Sequence, residues 1–244
     1  MILKVLTAIP VFKRFLPSLI KRLKIKRIKY VYENIIFYLD LRYLVDRRFF
    51  LHGYDEENIK ILKKFVKKNQ IEYFLDIGSC WGIYSLQLAK FDPNLKVIAF
   101  DVFENNIKRL KEMMVMNKII NLDPYNYALG DLEKFIEFSV NEEYSPNYSK
   151  DLNGKFKIKT KQKTLDSFLN IKDTKLIIKI DVERSEADVL NGANKLLKNN
   201  LCFVQIESDY HKSTEIKNIF KILAYKQQFI KTANNDLYFS NFPN

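Results

Sequence analysis

Residues 74–90 read FLDIGSCWGIYSLQLAK, and no other stretch constrains the fold as tightly. The chain has only 6 glycines in 244 residues, yet Gly78 and Gly82 stand four apart here. They follow the β-rich run Ile71–Ile77 and precede a helical pattern at Ile83–Lys90. Glycine at 78 lets the chain turn sharply off a strand and lets a ligand come close to the backbone. Gly82 permits close packing where the helix begins, and the first N–H groups of that helix suit an anion or carboxylate. The spacing is D-x-G-x-x-x-G rather than G-x-G-x-x-G. Cys80 and Ile83 stand where a dinucleotide fingerprint wants glycine, which disfavours a nicotinamide ligand.

Strand and helix patterns alternate on either side of this turn. Asp55–Lys68 carries an apolar stripe at Ile59, Leu62, Phe65 and Val66, and Glu104–Asn117 carries one at Ile107, Leu110 and Met114. Further helices are expected at Thr164–Leu169, Glu186–Lys198 and Glu215–Tyr225. Strands are expected at Lys96–Phe100, Pro124–Leu129, Lys175–Ile180, Leu201–Ile206, Phe229–Thr232 and Leu237–Ser240. Residues 134–140 and 155–161 alternate like a hairpin, and the aromatic run 31–51 reads as short strands. Five core strands between helices, closed by a strand pair, predict an α/β fold with a mostly parallel sheet and an antiparallel edge strand. Ligands of such sheets sit beyond the carboxyl ends of the strands. Four acids fall at those ends: Asp76, Asp101, Asp181 and Glu207. Asp101, about twenty residues past the glycine turn, is placed to accept both hydroxyls of a ribose.

Five motifs in order then carry a resemblance. The chain reads DIGSCWG (76–82), AFDVF (99–103), ALGD (128–131), TLD (164–166) and KIDVERSEADVLNGA (179–193). This resembles the FkbM family of S-adenosylmethionine-dependent methyltransferases, whose pattern runs DVGANxG, AFEP, ALGD, TLD and KIDVEGxE…VLxGA. The resemblance covers about residues 40–207 and implies a Rossmann-like seven-stranded methyltransferase fold. It also implies methyl transfer to a hydroxyl of a sugar, a glycan or a related small molecule. Carried over by position, Asp76, Gly78 and Gly82 line the methionine part of the cofactor, Asp101 holds the ribose in place of the usual Glu, and Asp131 approaches the adenine amino group. Ser79 and Val102 belong to the same cofactor motifs. Two positions depart from the pattern: Cys80 replaces Asn, and Arg184-Ser185 replaces Gly-Ala. At 184 an arginine either strains a turn built for glycine or reaches into the acceptor site.

A sugar hydroxyl is a poor nucleophile and benefits from a general base. Asp181, Glu183 and His211 are the candidates. Asp181 and Glu183 are two apart and share a face if the strand continues, as does Lys179. The alternative for the two acids is simple capping of the helix near Glu186. The aromatic residues Tyr38, Tyr43, Phe49, Phe50 and Tyr54, with loop 141–154, are expected to roof the acceptor pocket. No zinc site is expected, since Cys80 and Cys202 lie 122 positions apart and His52 and His211 are isolated. Charge alone would allow a divalent metal bridged by Asp181, Glu183 and Glu207, but no spacing demands one.

Net charge is +12, and residues 1–30 hold nine Lys/Arg and no acid, leaving +3 for the other 214 residues. The chain therefore divides into a basic amphipathic arm (1–30), a strand-and-helix segment covering the site (31–70) and a methyltransferase domain (71–244). The arm suits either an anionic membrane surface or a helix packed on its own domain with solvated lysines. The cysteine usage fits a cytoplasmic protein, which on the first reading is peripheral on the inner membrane face. Nucleic acid is the less favoured partner, because the globular part is barely cationic. RNA methylation and a non-catalytic methyltransferase-like binding module remain as alternatives.

Overall fold

A computed structural model of the chain describes residues 27–140, 156–182, 184–207, 213–232 and 236–243. These residues divide into two units at Glu56/Glu57. In the first unit, β1 (Arg27–Tyr32) and β2 (Ile35–Asp40) form an antiparallel hairpin. Its two-residue turn places Glu33 and Asn34 at φ 46° and 61°, as the right-handed twist of a tight hairpin requires. The rest of the aromatic run is not strand. Leu44–His52 forms helix α1, against the expectation for residues 31–51. The reason lies at the end of β2. The Asp40 carboxylate accepts the Arg42 N–H, and the Asp46 carboxylate accepts the Asp40 N–H, so the chain turns there. Phe49 and Phe50 then pack edge-on against Tyr30, and Phe49 also against Tyr32 and Phe37. These rings are the core of their own unit.

In the second unit the helices α2 (Glu56–Asn69), α3 (Ile83–Phe91) and α4 (Glu104–Asn117) alternate with β3 (Tyr73–Ile77), β4 (Lys96–Phe100) and β5 (Leu122–Tyr125). Then come β6 (Ala128–Leu129), β7 (Lys134–Val140), β8 (Phe156–Lys163), α5 (Leu165–Phe168) and β9 (Lys175–Ile180). The chain ends with α6 (Glu186–Asn191), α7 (Asn194–Lys198), β10 (Leu201–Ile206), α8 (Ser213–Ile222), β11 (Lys226–Gln228) and β12 (Leu237–Ser240). The main sheet has seven strands in the order β11-β12-β10-β9-β3-β4-β5. Neighbours from β10 to β5 run parallel, while β12 is antiparallel to both β10 and β11. The sheet is thus mostly parallel, with its reversed strand one in from the edge. The core strands read as continuous apolar runs because both of their faces are buried. Leu75, Ile77, Ile98, Phe100, Ile178, Ile180, Val204 and Ile206 pack on one side. On the strands of the other, Phe65 stacks on Phe203 with ring centroids 4.2 Å apart.

Three expected elements are redrawn by tertiary contacts. The strand expected at Pro124–Leu129 splits. β5 pairs with β4 as far as Tyr125, and Asn126 then caps the Asp101 carbonyl through its side-chain amide at 2.9 Å. The chain leaves the main sheet there and enters a second, three-stranded sheet of order β6-β8-β7. The helix expected at Glu186–Lys198 breaks at Gly192, where a Cβ would lie 1.9 Å from the Gly130 carbonyl oxygen. The strand expected at Phe229–Thr232 is Lys226–Gln228 instead, because the Ile230 N–H turns back to the Gln228 carbonyl.

Candidate active site

The site is assembled at the carboxyl ends of β3, β4 and β9, beside the point where strand order reverses between β3 and β9. A cavity of about 440 Å³ lies there, inside the range of roughly 300–1,000 Å³ that small-molecule sites occupy. Its walls are mainly apolar: Ile77, Phe100, Val102, Leu129, Ile136 and Val182. Polar groups enter from Asp101, Gln162, Ser185 and Asp188. Apolar walls suit a purine ring, and a single carboxyl at the end of β4 suits a ribose diol.

Gly78 forms part of the wall at φ 78°, and a Cβ there would lie 1.7 Å from the Asp181 carbonyl oxygen. Only glycine lets the ends of β3 and β9 meet. The turn is held from β4: the Gly78 and Ser79 N–H groups both donate to the Phe100 carbonyl, at 3.0 and 2.9 Å. Those two donors are therefore committed to the fold. Gly82 lies outside the cavity wall. It sits at φ 87° before α3, and a Cβ would meet Leu110 of α4 at 2.4 Å. Its role is the close approach of α3 and α4. Cys80 takes φ 51° in the same turn.

Asp101 is buried, and its Oδ1 accepts the Phe103 N–H at 2.8 Å and the Asn106 amide at 3.0 Å. Burial pushes its carboxyl up to about 7, against these donors and that of the Cys80 backbone. The same carboxyl thus ties the glycine turn to the start of α4 while facing the cavity. Val102 lines the cavity beside it. Asp131 does not: it is exposed, 3.9 Å from Lys134 Nζ.

Asp76 lies on the other face of β3. It is fully enclosed, accepts from Ser85 Oγ through Oδ2, and its Oδ1 has no hydrogen-bond donor. Desolvation raises its pKa against the pull of Lys179, whose Nζ is 3.9 Å away. Lys179 Nζ donates to Asp181 Oδ2 at 3.1 Å and lies over the Tyr84 ring. Asp181 shares a side-chain hydrogen bond with Glu207. The Asp181 charge is the first cause, and burial the second, that lifts the Glu207 carboxyl up to about 8. The strand ends thus bring together Asp76, Lys179, Asp181 and Glu207, three of them candidates from sequence. Glu183 and His211 lie outside the described residues. Among the described residues no group of three His, Cys, Asp or Glu side chains is arranged to hold a metal ion.

Arg184 takes φ 75° one residue ahead of Ser185, the N-cap of α6, a conformation natural to glycine, and its N–H donates to Glu186 Oε1 at 2.9 Å. Of the two readings for this position the backbone supports strain at a glycine turn. Tyr127, Gln162, Ser185 and Asp188 went unforeseen as cavity residues. The β7/β8 alternation is visible in sequence, but nothing local tells on which sheet edge the hairpin docks.

The fold has counterparts. A crystal structure of a methyltransferase FkbM from Methylobacillus flagellatus KT superposes with TM-score 0.53 at 16% identity, covering 79% of this chain and 52% of that one. The present chain thus spans about half the length of that protein. A methyltransferase from Geobacter sulfurreducens gives TM-score 0.54 at 13% identity, covering 81% and 86%. A tRNA (uracil-54, C5)-methyltransferase of Pyrococcus abyssi, solved with S-adenosyl-L-homocysteine, gives 0.51 at 14% identity, covering 88% and 44%. At these identities the likeness is one of fold. No curated protein matches the sequence significantly. The family model for the methyltransferase FkbM domain matches residues 76–230, a span that opens at the acid of the glycine turn and takes in every strand end described above, and the chain belongs to that family.

Proposed function

We propose that the protein is an S-adenosylmethionine-dependent O-methyltransferase acting on a hydroxyl of a sugar, a glycan or a related small molecule. The observation that carries this reading is the cavity at the ends of β3 and β4, closed by Asp101, within an FkbM methyltransferase domain. Gly78, Asp101 and Val102 would hold the cofactor, which when bound supplies a methyl group already activated on a sulfonium centre.

The protein's remaining tasks are to orient the acceptor and to take its proton. Asp181 and Glu207 are the groups for the second task. Lys179 fixes Asp181 at 3.1 Å, and Asp181 and Glu207 hydrogen bond to each other. Two carboxyls in contact hold one proton between them up to a pH well above an ordinary carboxylate's. The pair accepts a further proton from a hydroxyl only after that shared proton leaves, which for Glu207 is at about 8. The rate should therefore rise with pH through that region. No helix among the described residues is long and apolar enough to cross a membrane. We place the basic segment 1–30, most of which lies outside the described residues, against an anionic lipid surface on the cytoplasmic side.

Titration calorimetry with S-adenosylmethionine and S-adenosylhomocysteine is the first test, and no binding at millimolar ligand removes the enzyme reading. Transfer of a labelled methyl group to fractionated cell glycans, with RNA as control, tests the acceptor. Liposome flotation with and without residues 1–30 tests the membrane contact.

A further inference from the structure

Along β8 the lysines Lys157, Lys159, Lys161 and Lys163 occupy alternate positions, so all four leave the same face of the strand. The intervening Thr160 and Gln162 are buried, and the first three lysines are exposed. Residues of β7 opposite them in register, Phe135 and Glu137, share that outer face. Glu137 pairs with Lys157 at 3.1 Å and is the only acid of the row. Four lysines against one glutamate leave three positive charges on one ribbon face. That equals the net charge of all residues after position 30.

Lysine is depleted in strands, so an unbroken row needs a reason. Edge protection is one use of lysine, but the row runs on to Lys163, which pairs with Leu129 of β6, next to Gln162 where β8 lies between β6 and β7. Aromatic rings interleave with the charges. Lys159 lies over Phe135, and Lys163 over Tyr127 and Phe168. Phe135 is 68% exposed despite its size. Phe135 and Tyr127 also line the cavity, so the row begins at the mouth of the site.

We propose that the outer face of the β7–β8 ribbon docks the acceptor, and that the acceptor is an anionic saccharide bearing carboxylate or phosphate groups. The exposed Phe135 ring offers a flat apolar face to a sugar ring, and lysines about 7 Å apart along the strand meet charges carried on successive residues. A nucleic acid fits less well. The row contains no arginine, the bidentate partner of phosphate, and Glu137 stands within it against a continuous run of phosphates. This assignment rests on the methyl-transfer reading of the adjoining cavity.

The test uses the full chain and three hexameric probes: oligogalacturonate, a neutral maltohexaose and oligouridylate. Binding is measured by calorimetry for the wild type and for the double variant K159Q/K161Q, whose substitutions are exposed and away from the cavity wall. Residues 1–26 are identical in both proteins, so the difference reads β8. Oligogalacturonate should bind the wild type more tightly than either other probe, with an affinity that falls as salt rises. The double variant should lose about tenfold, two surface charges being worth that order of magnitude. Affinity for S-adenosylhomocysteine, measured in parallel, should not change. Equal binding of the acidic and neutral saccharides, no binding of oligogalacturonate, tighter binding of oligouridylate or an unaffected double variant would each overturn the proposal. Loss of homocysteine-nucleoside binding in the wild type would instead count against the cofactor reading itself.

Discussion

Asp101 closes β4, faces the cavity, and accepts the Phe103 N–H and the Asn106 amide through Oδ1. Removing it therefore has two consequences. Asp101→Ala should abolish measurable S-adenosylhomocysteine binding in calorimetry. It should also destabilise the fold by about 1–3 kcal/mol in thermal or denaturant melts, because buried donors lose their acceptor. Asp101→Asn keeps the shape and an acceptor oxygen, so it should retain most of the stability and lose affinity. Gly78 and Arg184 make an opposed pair. Both sit at φ near 75–78°, but only Gly78 is also pressed against backbone, the Asp181 carbonyl. Gly78→Ala should cost more than about 2 kcal/mol, from the left-handed backbone alone plus the clash. Arg184→Gly should raise the melting temperature, by up to about 1 kcal/mol in stability, since the left-handed strain exceeds glycine's entropic cost.

Elements were legible where a local signal agreed with the tertiary environment. The TLDSF stretch reads as a short capped helix, and Thr164 does cap α5, its side chain accepting the Ser167 N–H at 3.1 Å. Thr164→Ala should cost about 1 kcal/mol in a denaturant melt. Three hydrogen bonds of Asp166 link α5 to the end of α6 and the start of α7: its N–H donates to the Gly192 carbonyl, and its carboxylate accepts the Lys195 and Leu196 N–H groups. The periodicity that predicts one helix from 186 to 198 cannot register Gly130, whose carbonyl occupies the space beside Gly192. The aromatic run 31–51 fails for a similar reason. Its β propensity is real as far as Asp40, but Asp40 and Asp46 together turn the chain, and Phe49 and Phe50 pack with Tyr30 and Phe37 in a small core.

For the whole molecule, the charge clusters set a pH dependence. Asp101 and Glu207 hold their protons up to about 7 and about 8 in the folded chain, against ordinary values of 3.8 and 4.5. Between those limits the folded state binds more protons than the unfolded state. Stability contributed by these groups is thus fully present below about 4 and declines as pH rises toward 8. Other carboxylates add opposing slopes, so the comparison is with variants. Glu207→Gln should flatten the decline between pH 5 and 8 in melts. In the transfer assay the same variant should lose the pH–rate limb near 8, because the carboxyl that titrates there is gone.

The sequence by itself determined the alternation of helices with β3, β4, β9 and β10, the glycine turn, the acids at strand ends and the family, because each of these is written in local spacing. Backbone conformation at Gly78 and a carboxyl after β4 need only neighbours in the chain to be recognised. Only the tertiary structure decided which acids meet, where β7 and β8 dock, and where the elements end. Asp181 meets Glu207 because β9 and β10 lie side by side in register. Asp76 and Asp101 are parted because β3 turns one toward Lys179 while β4 turns the other toward the cavity. Such pairings are set by strand order and pleat, which join residues from distant parts of the chain and leave no mark in any short stretch of it.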